Sequence, residues 1–143
     1  MKFPALLLFA FAIRGSLSVS STPSKMTWVA ANDWCLKNNK GYLYVPVTST
    51  NSCSPSTTSL SSACPEGICW VGFHRAQPRS SLWVDTKWSN ANINWKSDQP
   101  DDWTNNGNQP GGEACANIYK GGENNDKIND ISCDESYYGL CEI

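Results

Sequence analysis

The sequence predicts a single α+β domain with a helix near its start and short strands after it. The 143 residues are about the size of one domain, and the sequence shows no internal repeat. One helical pattern precedes Cys35, and short runs rich in β-forming residues recur after it. Seven cysteines follow an apolar leader, which indicates an oxidising compartment where most of them pair.

The first residues have the pattern of a secretory signal peptide. Lys2 supplies a positive end, residues 5–13 form an apolar run, and residues 16–18 offer small side chains at cleavage spacing. This run is too short to cross a hydrocarbon core of about 30 Å, and Arg14 interrupts it. We therefore predict a leader at 1–18, secretion without membrane insertion, and a mature domain at 19–143.

The predicted helix begins after Thr27, whose hydroxyl can cap it. Trp28, Ala31 and Cys35 recur at helical spacing, which places the Cys35 thiol on the face that packs against the domain. Gly41 is a plausible end signal.

The rest of the chain predicts short strands separated by two long loops. The strand-like stretches are 42–47, 69–73, 82–84, 114–119, 128–133 and the terminal 137–143. Residues 48–63 are dominated by Ser and Thr, and residues 88–112 by Asn, Asp, Gly, Pro and Trp without any period. Loops as long as the second are usually functional or disordered, and its interleaved tryptophans favour order.

Composition argues against several classes of function. The 11 basic and 13 acidic residues give a net charge of −2, which lacks the positive footprint that nucleic-acid binding needs. Cys64 and Cys69 form the only close cysteine pair, so zinc-site spacing is not repeated. His74 is the only histidine, and no nucleophile motif accompanies it, so we predict that the protein is not an enzyme.

Oxygen-bearing side chains gather in the long loop and ahead of Cys133. They are Gln99, Asp101, Asp102, Glu113, Asn129 and Asp130. Ca²⁺ takes six to eight oxygen ligands of this kind, although such residues in a loop are more often simply solvated. Pro100 restricts the chain between Gln99 and Asp101, and a cis bond there would turn both side chains toward one ion.

The order of several short motifs resembles a C-type lectin domain from about residue 20 to the end. After Trp28 and Cys35 these motifs are Trp70-Val71-Gly72-Phe73, Gln99-Pro100-Asp101, Glu113-Ala114-Cys115, Ile128-Asn129-Asp130 and Cys141-Glu142. The resemblance implies short helices packed on small antiparallel sheets, a long Ca²⁺-binding loop region, and the disulfides Cys35–Cys141 and Cys115–Cys133. Two of Cys53, Cys64 and Cys69 can then pair, which leaves one thiol able to link a homodimer.

The resemblance also implies a Ca²⁺ site and a sugar site that share residues. The implied metal ligands are Gln99, Asp101, Glu113, Asn129 and Asp130, and the implied sugar contacts are Gln99, Asp101, Trp103, Glu113 and Asn129. In this family the Gln-Pro-Asp triplet goes with galactose or N-acetylgalactosamine, and Glu-Pro-Asn goes with mannose. We therefore expect a secreted Ca²⁺-dependent lectin for galactose-type glycans, used in glycan recognition or innate defence.

Some positions depart from the family pattern. Ile128 stands where the family has Trp, and Asn117 stands where some N-acetylgalactosamine-preferring members have His. Residues 48–63 are poor in helix formers where a second helix is expected. The alternative function is a module of the same fold that recognises protein or ice without sugar, and retention of all five oxygen-bearing positions argues against it. For Trp103 the alternative to sugar stacking is a place in the core.

Overall fold

The computed structural model describes residues 18–38, 41–46, 63–89, 91–103 and 112–143. The predicted leader lies outside these ranges except for Ser18, and Cys53 and nearly all of the predicted loop 48–63 also lie outside them. Among the described residues, no helix combines the length and apolar character needed to span a membrane.

The described elements run from a short strand through a helix to a set of strands that form the body. They are β1 (Val19–Ser21), α1 (Trp28–Lys37), β2 (Ile68–Arg75), β3 (Trp83–Asp85), β4 (Cys115–Tyr119), a 3-10 turn (Gly122–Asn124), β5 (Ile128–Ile131) and β6 (Tyr138–Glu142). Together they confirm the predicted α+β class.

The helix α1 forms as its sequence predicts. The Thr27 hydroxyl accepts a hydrogen bond from the Ala30 amide, and the predicted face of Trp28, Ala31 and Cys35 is buried. The indole of Trp28 also donates to the backbone carbonyl of Val71 at 2.8 Å, which fixes the helix against β2. The helix ends at Lys37, ahead of the predicted stop at Gly41.

The strand order in the sheet is β1-β6-β2-β4-β5, with β3 paired to β2. All pairs are antiparallel except β2 with β6, which run parallel with Cys69 opposite Tyr138. The sheet is therefore mixed, because of this one parallel pair, whereas the resemblance implies small antiparallel sheets.

The strand predicted at 42–47 is wrong over the described residues 42–46. Leu43 forms one isolated bridge to Cys141, and Tyr44 bonds to the carbonyl of Leu140 and to the amide of Gly72. Because these hydrogen bonds are divided between β6 and β2, no ladder forms along either strand. The close approach requires a glycine, since a Cβ on Gly72 would lie 2.5 Å from the Leu43 carbonyl oxygen.

Three disulfides join the described elements. Cys35–Cys141 ties α1 to β6, and Cys115–Cys133 ties β4 to the chain after β5, which are the two pairings that the resemblance implies. Cys64–Cys69 closes the turn that enters β2. These bonds use six of the seven cysteines, so Cys53 has no cysteine left to pair with in its own chain.

Apolar side chains form two buried clusters, and β2 contributes to both. One cluster comprises chiefly Tyr44, Val71, Phe73, Trp83, Ile118, Ile128 and Leu140. The other comprises Trp28, Ala31, Cys35, Leu43, Trp70, Cys115 and Cys141. Ile128, which stands where the family has Trp, is 1% exposed and anchors the strand that carries Asp130.

Candidate functional site

Carboxylates from three separate segments converge beside β4 and β5. Asp101 lies in the loop after Pro100, Glu113 precedes β4, and Asp130 lies on β5. Each offers one carboxylate oxygen, and these three oxygens lie within 4.8 Å of one another. The loop and the sheet thus bring together residues that are up to 29 positions apart in sequence.

Asp130 is the buried centre of this group. Its side chain is fully buried, and its Oδ1 accepts a hydrogen bond from the Asp101 amide at 3.2 Å. Its Oδ2 accepts from the Asp102 amide at 2.9 Å and from Nη2 of Arg75 at 3.0 Å. One carboxylate therefore holds the backbone of the Gln99–Trp103 loop against β5.

Gln99 adds an amide to the same group. The Gln99–Pro100 peptide bond is cis. One terminal atom of the Gln99 amide lies 2.5 Å from Asp130 Oδ1 and 3.1 Å from Asp101 Oδ1, and as the nitrogen it donates to both. If that atom is instead the amide oxygen, it faces the carboxylate oxygens of Asp130 and Asp101. Oxygens placed together in this way require a cation between them.

Glu113 is nearly buried, with 9% of its surface exposed. Its Oε2 accepts from the Trp103 amide at 2.8 Å, and its own amide donates to Asp102 Oδ1 at 2.9 Å. Burial, and then the charge of Asp130, raise the pKa of Glu113 to about 8. Burial also raises the pKa of Asp130, against the lowering effect of its amide donors and of Arg75. Without a cation beside them, Glu113 and Asp130 therefore keep their protons to a higher pH than ordinary carboxyl groups.

Trp103 lies at the rim of the cluster and is not a core residue. Its amide is bonded to Glu113, while its side chain is 61% exposed. The ring is therefore available as a flat apolar face beside the carboxylates.

Asn129 and Asn117 are neighbours across β5 and β4. The Asn129 amide donates to the backbone carbonyl of Asp130 at 2.6 Å, and its described hydrogen bonds do not reach the carboxylate cluster. Asn117 pairs with Asn129 across the strands and is 1% exposed. The structure therefore brings four of the five predicted ligands together and places Asn129 next to them in sequence.

Sequence reasoning did not single out Arg75, which is 8% exposed at the end of β2. It is the cation that Asp130 contacts, and its nearest carboxylates belong to residues far along the chain. The only local signal is a basic residue that closes a buried apolar strand. Asp102, noted in the sequence as an oxygen-bearing residue, contacts both Arg75 and Arg79.

This donor set fits Ca²⁺. The group offers three carboxylates and one amide, all of them hard oxygen ligands if the Gln99 oxygen faces inward. Burial is the largest cause of the raised pKa of Glu113, and repulsion from the negative charge of Asp130 adds to it. A divalent cation relieves that repulsion, so the residues present suit the ion that the sequence implies.

His74 belongs to the fold and not to this cluster. Its ring lies edge-on to Trp28 and Trp88, with centroid distances of 5.3 and 4.9 Å, and its Nδ1 lies 2.9 Å from the Arg75 carbonyl oxygen. His74 is the penultimate residue of β2, and these contacts pack it between the helix and the chain after β3.

Comparison with known proteins connects this arrangement to one family. The family model described as "Lectin C-type domain" matches residues 24–143. Human "C-type lectin domain family 10 member A" is 33% identical over 121 residues, which are 83% of this chain and 34% of that protein. "Asialoglycoprotein receptor 1" of Pongo abelii is 38% identical over 74 residues, which are 51% of this chain and 23% of that receptor.

The solved structures agree in fold. The mouse scavenger receptor C-type lectin carbohydrate-recognition domain has a TM-score of 0.66 and 22% identity, and the match covers 90% of this chain and 88% of that one. At this identity the likeness shows the fold alone. The chain spans about a third or less of the length of the two curated relatives.

Proposed function

The chain belongs to the C-type lectin domain family, and we propose that it is a secreted, Ca²⁺-dependent lectin that binds galactose-type glycans. Members of this family are generally carbohydrate-binding proteins without enzymatic activity, and they typically bind Ca²⁺. The observation that carries the proposal is the convergence of Gln99, Asp101, Glu113 and Asp130 around one point.

Ca²⁺ bound here would supply open coordination positions for two adjacent hydroxyls of one sugar. Asp101, Glu113 and Asp130 would hold the ion with Gln99, and Asn129 would complete the set after a turn of its amide. The same carboxylates and amides exchange hydrogen bonds with the sugar hydroxyls. Sugar binding would therefore need the ion and the side chains together.

Three features support galactose as the sugar. The triplet Gln99-Pro100-Asp101 has the galactose-type order, and one relative with 38% identity over 74 residues is named an asialoglycoprotein receptor. Trp103 is exposed at the rim of the cluster. Its ring suits the apolar face of galactose, where the axial 4-hydroxyl leaves several C–H bonds on one side.

Retention on immobilised galactose tests this function directly. We expect the protein to bind the resin in Ca²⁺ and to elute with EDTA or free galactose. A glycan array probed with and without Ca²⁺ would then define the natural ligand. Passage through the resin in both conditions would refute galactose binding, and a glycan array without Ca²⁺-dependent signal would favour a protein-binding or ice-binding module.

Ca²⁺ should also raise the unfolding temperature, because an ion that binds only the native state stabilises it by mass action. At 100 times the dissociation constant the gain is about 2.7 kcal/mol. Calorimetric scans in EDTA, in millimolar Ca²⁺ and in millimolar Mg²⁺ measure it. Coincident melting curves in EDTA and Ca²⁺ would exclude a native Ca²⁺ site.

The cysteine count supports secretion and a covalent dimer. Three disulfides suit an oxidising compartment, and Cys53 remains without an intrachain cysteine partner. We expect part of the secreted protein to run as a dimer on non-reducing gels and as a monomer after reduction. Since one monosaccharide site binds weakly, two linked sites would strengthen attachment to a glycan surface.

Cys53→Ser tests the origin of the dimer and should remove it. A purely monomeric wild type with one titratable thiol would contradict this prediction. A dimer that persists in Cys53→Ser would also contradict it.

A further inference from the structure

Arg75 is a buried cation that contacts several segments of the site at once. Its Nε donates to the Glu113 carbonyl oxygen at 2.8 Å, and its Nη1 donates to the Ser80 carbonyl oxygen at 2.5 Å. Its Nη2 donates to Asp130 Oδ2 at 3.0 Å and lies 3.8 Å from Asp102 Oδ1. All three guanidinium nitrogens thus face oxygen atoms. Three of these oxygens belong to Glu113, Asp102 and Asp130, which lie before β4, in the loop after Pro100 and on β5.

The surroundings of Arg75 fix its position. Its side chain is 6% exposed, and the guanidinium carbon lies 4.8 Å from the centroid of the Trp83 ring. Its backbone amide also donates to the Ala114 carbonyl, next to Glu113. A guanidinium presents its donors in a rigid planar fork, so these oxygens are held at set positions relative to one another.

Within the cluster, Asp130 Oδ1 is the carboxylate oxygen that lies 2.5 Å from the Gln99 amide. Arg75 holds the other carboxylate oxygen of Asp130 and the backbone of Glu113. Asp130 in turn holds the amides of Asp101 and Asp102. Arg75 therefore acts on Glu113 through its backbone and on Asp130 through Oδ2, and it reaches Asp101 by way of Asp130, as partners behind metal ligands do.

We propose that Arg75 is a positioning residue of the Ca²⁺ site: its guanidinium arranges Asp101, Glu113 and Asp130 for the ion before the ion arrives. This inference rests on the proposed Ca²⁺ site. It goes further, because it makes Arg75 responsible for the order of the Gln99–Trp103 loop in the Ca²⁺-free protein. Arg75 belongs neither to the implied metal ligands nor to the implied sugar contacts.

Charge and positioning predict opposite results when Arg75 is changed. A positive charge near the site repels Ca²⁺, so its removal by charge alone would tighten Ca²⁺ binding. Loss of a positioning residue weakens metal binding, typically by about 10–100-fold. We therefore expect Arg75→Met to weaken Ca²⁺ binding by about tenfold or more. Arg75→Lys keeps the charge but not the planar fork, and we expect it to weaken binding as well.

The matched control is Arg79→Met. Arg79 is about half exposed, and within the described residues its side chain bonds Asp102 Oδ2 at 3.2 Å. Its removal takes away the same charge without touching Asp130 or Glu113. We expect its Ca²⁺ dissociation constant to stay within about threefold of wild type, as for exposed ion pairs of small energy.

Titration calorimetry with Ca²⁺ and amide hydrogen exchange in EDTA test the proposal. In EDTA, the amides of Asp101, Asp102 and Glu113 should be protected in wild type and should exchange at least about tenfold faster in both Arg75 variants. The amide of Tyr44, which bonds to the Leu140 carbonyl in the core, should remain protected and thereby report that the variant is folded.

Unchanged or tighter Ca²⁺ binding by a folded Arg75→Met protein would overturn the proposal while leaving the Ca²⁺ site intact. If Arg75→Met does not fold, Arg75→Lys decides between the same outcomes. Unaltered exchange at Asp101, Asp102 and Glu113 in the folded variant would also overturn it. A wild-type protein that binds no Ca²⁺ would refute the proposed site and this role for Arg75 together.

Discussion

Glu113→Gln is expected to abolish Ca²⁺-dependent galactose binding while making the Ca²⁺-free protein more stable. The substitution removes one of three converging carboxylates, and Ca²⁺ affinity depends strongly on the number of charged ligands. We expect Ca²⁺ binding to weaken by more than about 100-fold, since even residues behind the ligands contribute about 10–100-fold. Retention on immobilised galactose should then be lost at millimolar Ca²⁺.

The gain in stability follows from the raised pKa of Glu113. The pKa of Glu113 is 4.5 in the unfolded chain, and it is raised to about 8 in the folded protein without an ion. As the pH rises through this range the unfolded state is favoured by proton release, so wild type loses stability from this group. A glutamine side chain at this position has no proton to release, and its oxygen can still accept from the Trp103 amide.

Thermal unfolding in EDTA measures this effect. We expect the unfolding temperature of Glu113→Gln minus that of wild type to increase as the pH rises from about 4.5 to about 8. Below about pH 4.5 this difference should not depend on pH. Glu123→Gln, at an exposed position on the 3-10 turn, is the matched control and should change neither stability nor Ca²⁺ binding. A Glu113→Gln protein less stable than wild type in EDTA at pH 8 would mean that Glu113 holds the fold and not an ion.

Local chemistry was sufficient to predict the elements that lead to the site. The helix face of Trp28, Ala31 and Cys35 follows from spacing alone, and the Thr27 cap follows from its hydroxyl. The apolar run after Cys69 predicts a buried strand because its side chains are too large and apolar to leave exposed. Each of these features is determined within about ten residues of chain.

Features that depend on distant partners escaped prediction. Arg75 has the local pattern of a polar end to a strand, and its burial depends on distant partners such as Asp130, 55 residues away. The stretch 42–46 alternates like a strand, but its hydrogen bonds are shared between β6 and β2. The convergence of Gln99 with Asp130 likewise depends on the whole sheet, so the family resemblance was needed to group them in advance.

Sugar choice is expected to reverse when Gln99 and Asp101 exchange their functional groups. The double change Gln99→Glu with Asp101→Asn keeps one carboxylate and one amide, so Ca²⁺ coordination should survive. It exchanges the positions that donate and accept hydrogen bonds around the ion. The new arrangement suits the two equatorial hydroxyls of mannose, whereas the original suits the equatorial and axial pair of galactose.

The structure adds a second expected result for this double variant. A carboxylate at position 99 would replace an amide whose atom lies 2.5 Å from Asp130 Oδ1. Two carboxylates at that distance repel each other unless a cation lies between them. The carboxylate that is lost at Asp101 is exposed, whereas the one that is gained lies against the buried Asp130, so the variant should unfold at a lower temperature than wild type in EDTA and should gain more from Ca²⁺.

Trp103→Ala separates the sugar face from the ion. Because the Trp103 ring is 61% exposed and only its backbone amide bonds to Glu113, the substitution should leave Ca²⁺ binding within about threefold of wild type. Galactose binding should weaken by about tenfold, as expected for the loss of one aromatic stacking contact.

Inhibition by free galactose and mannose at saturating Ca²⁺ measures both the double variant and Trp103→Ala, with Asp98→Asn in the same loop as the control. If wild type does not prefer galactose, or if the double variant keeps that preference while binding Ca²⁺, then Gln99-Pro100-Asp101 does not determine which sugar the cluster accepts.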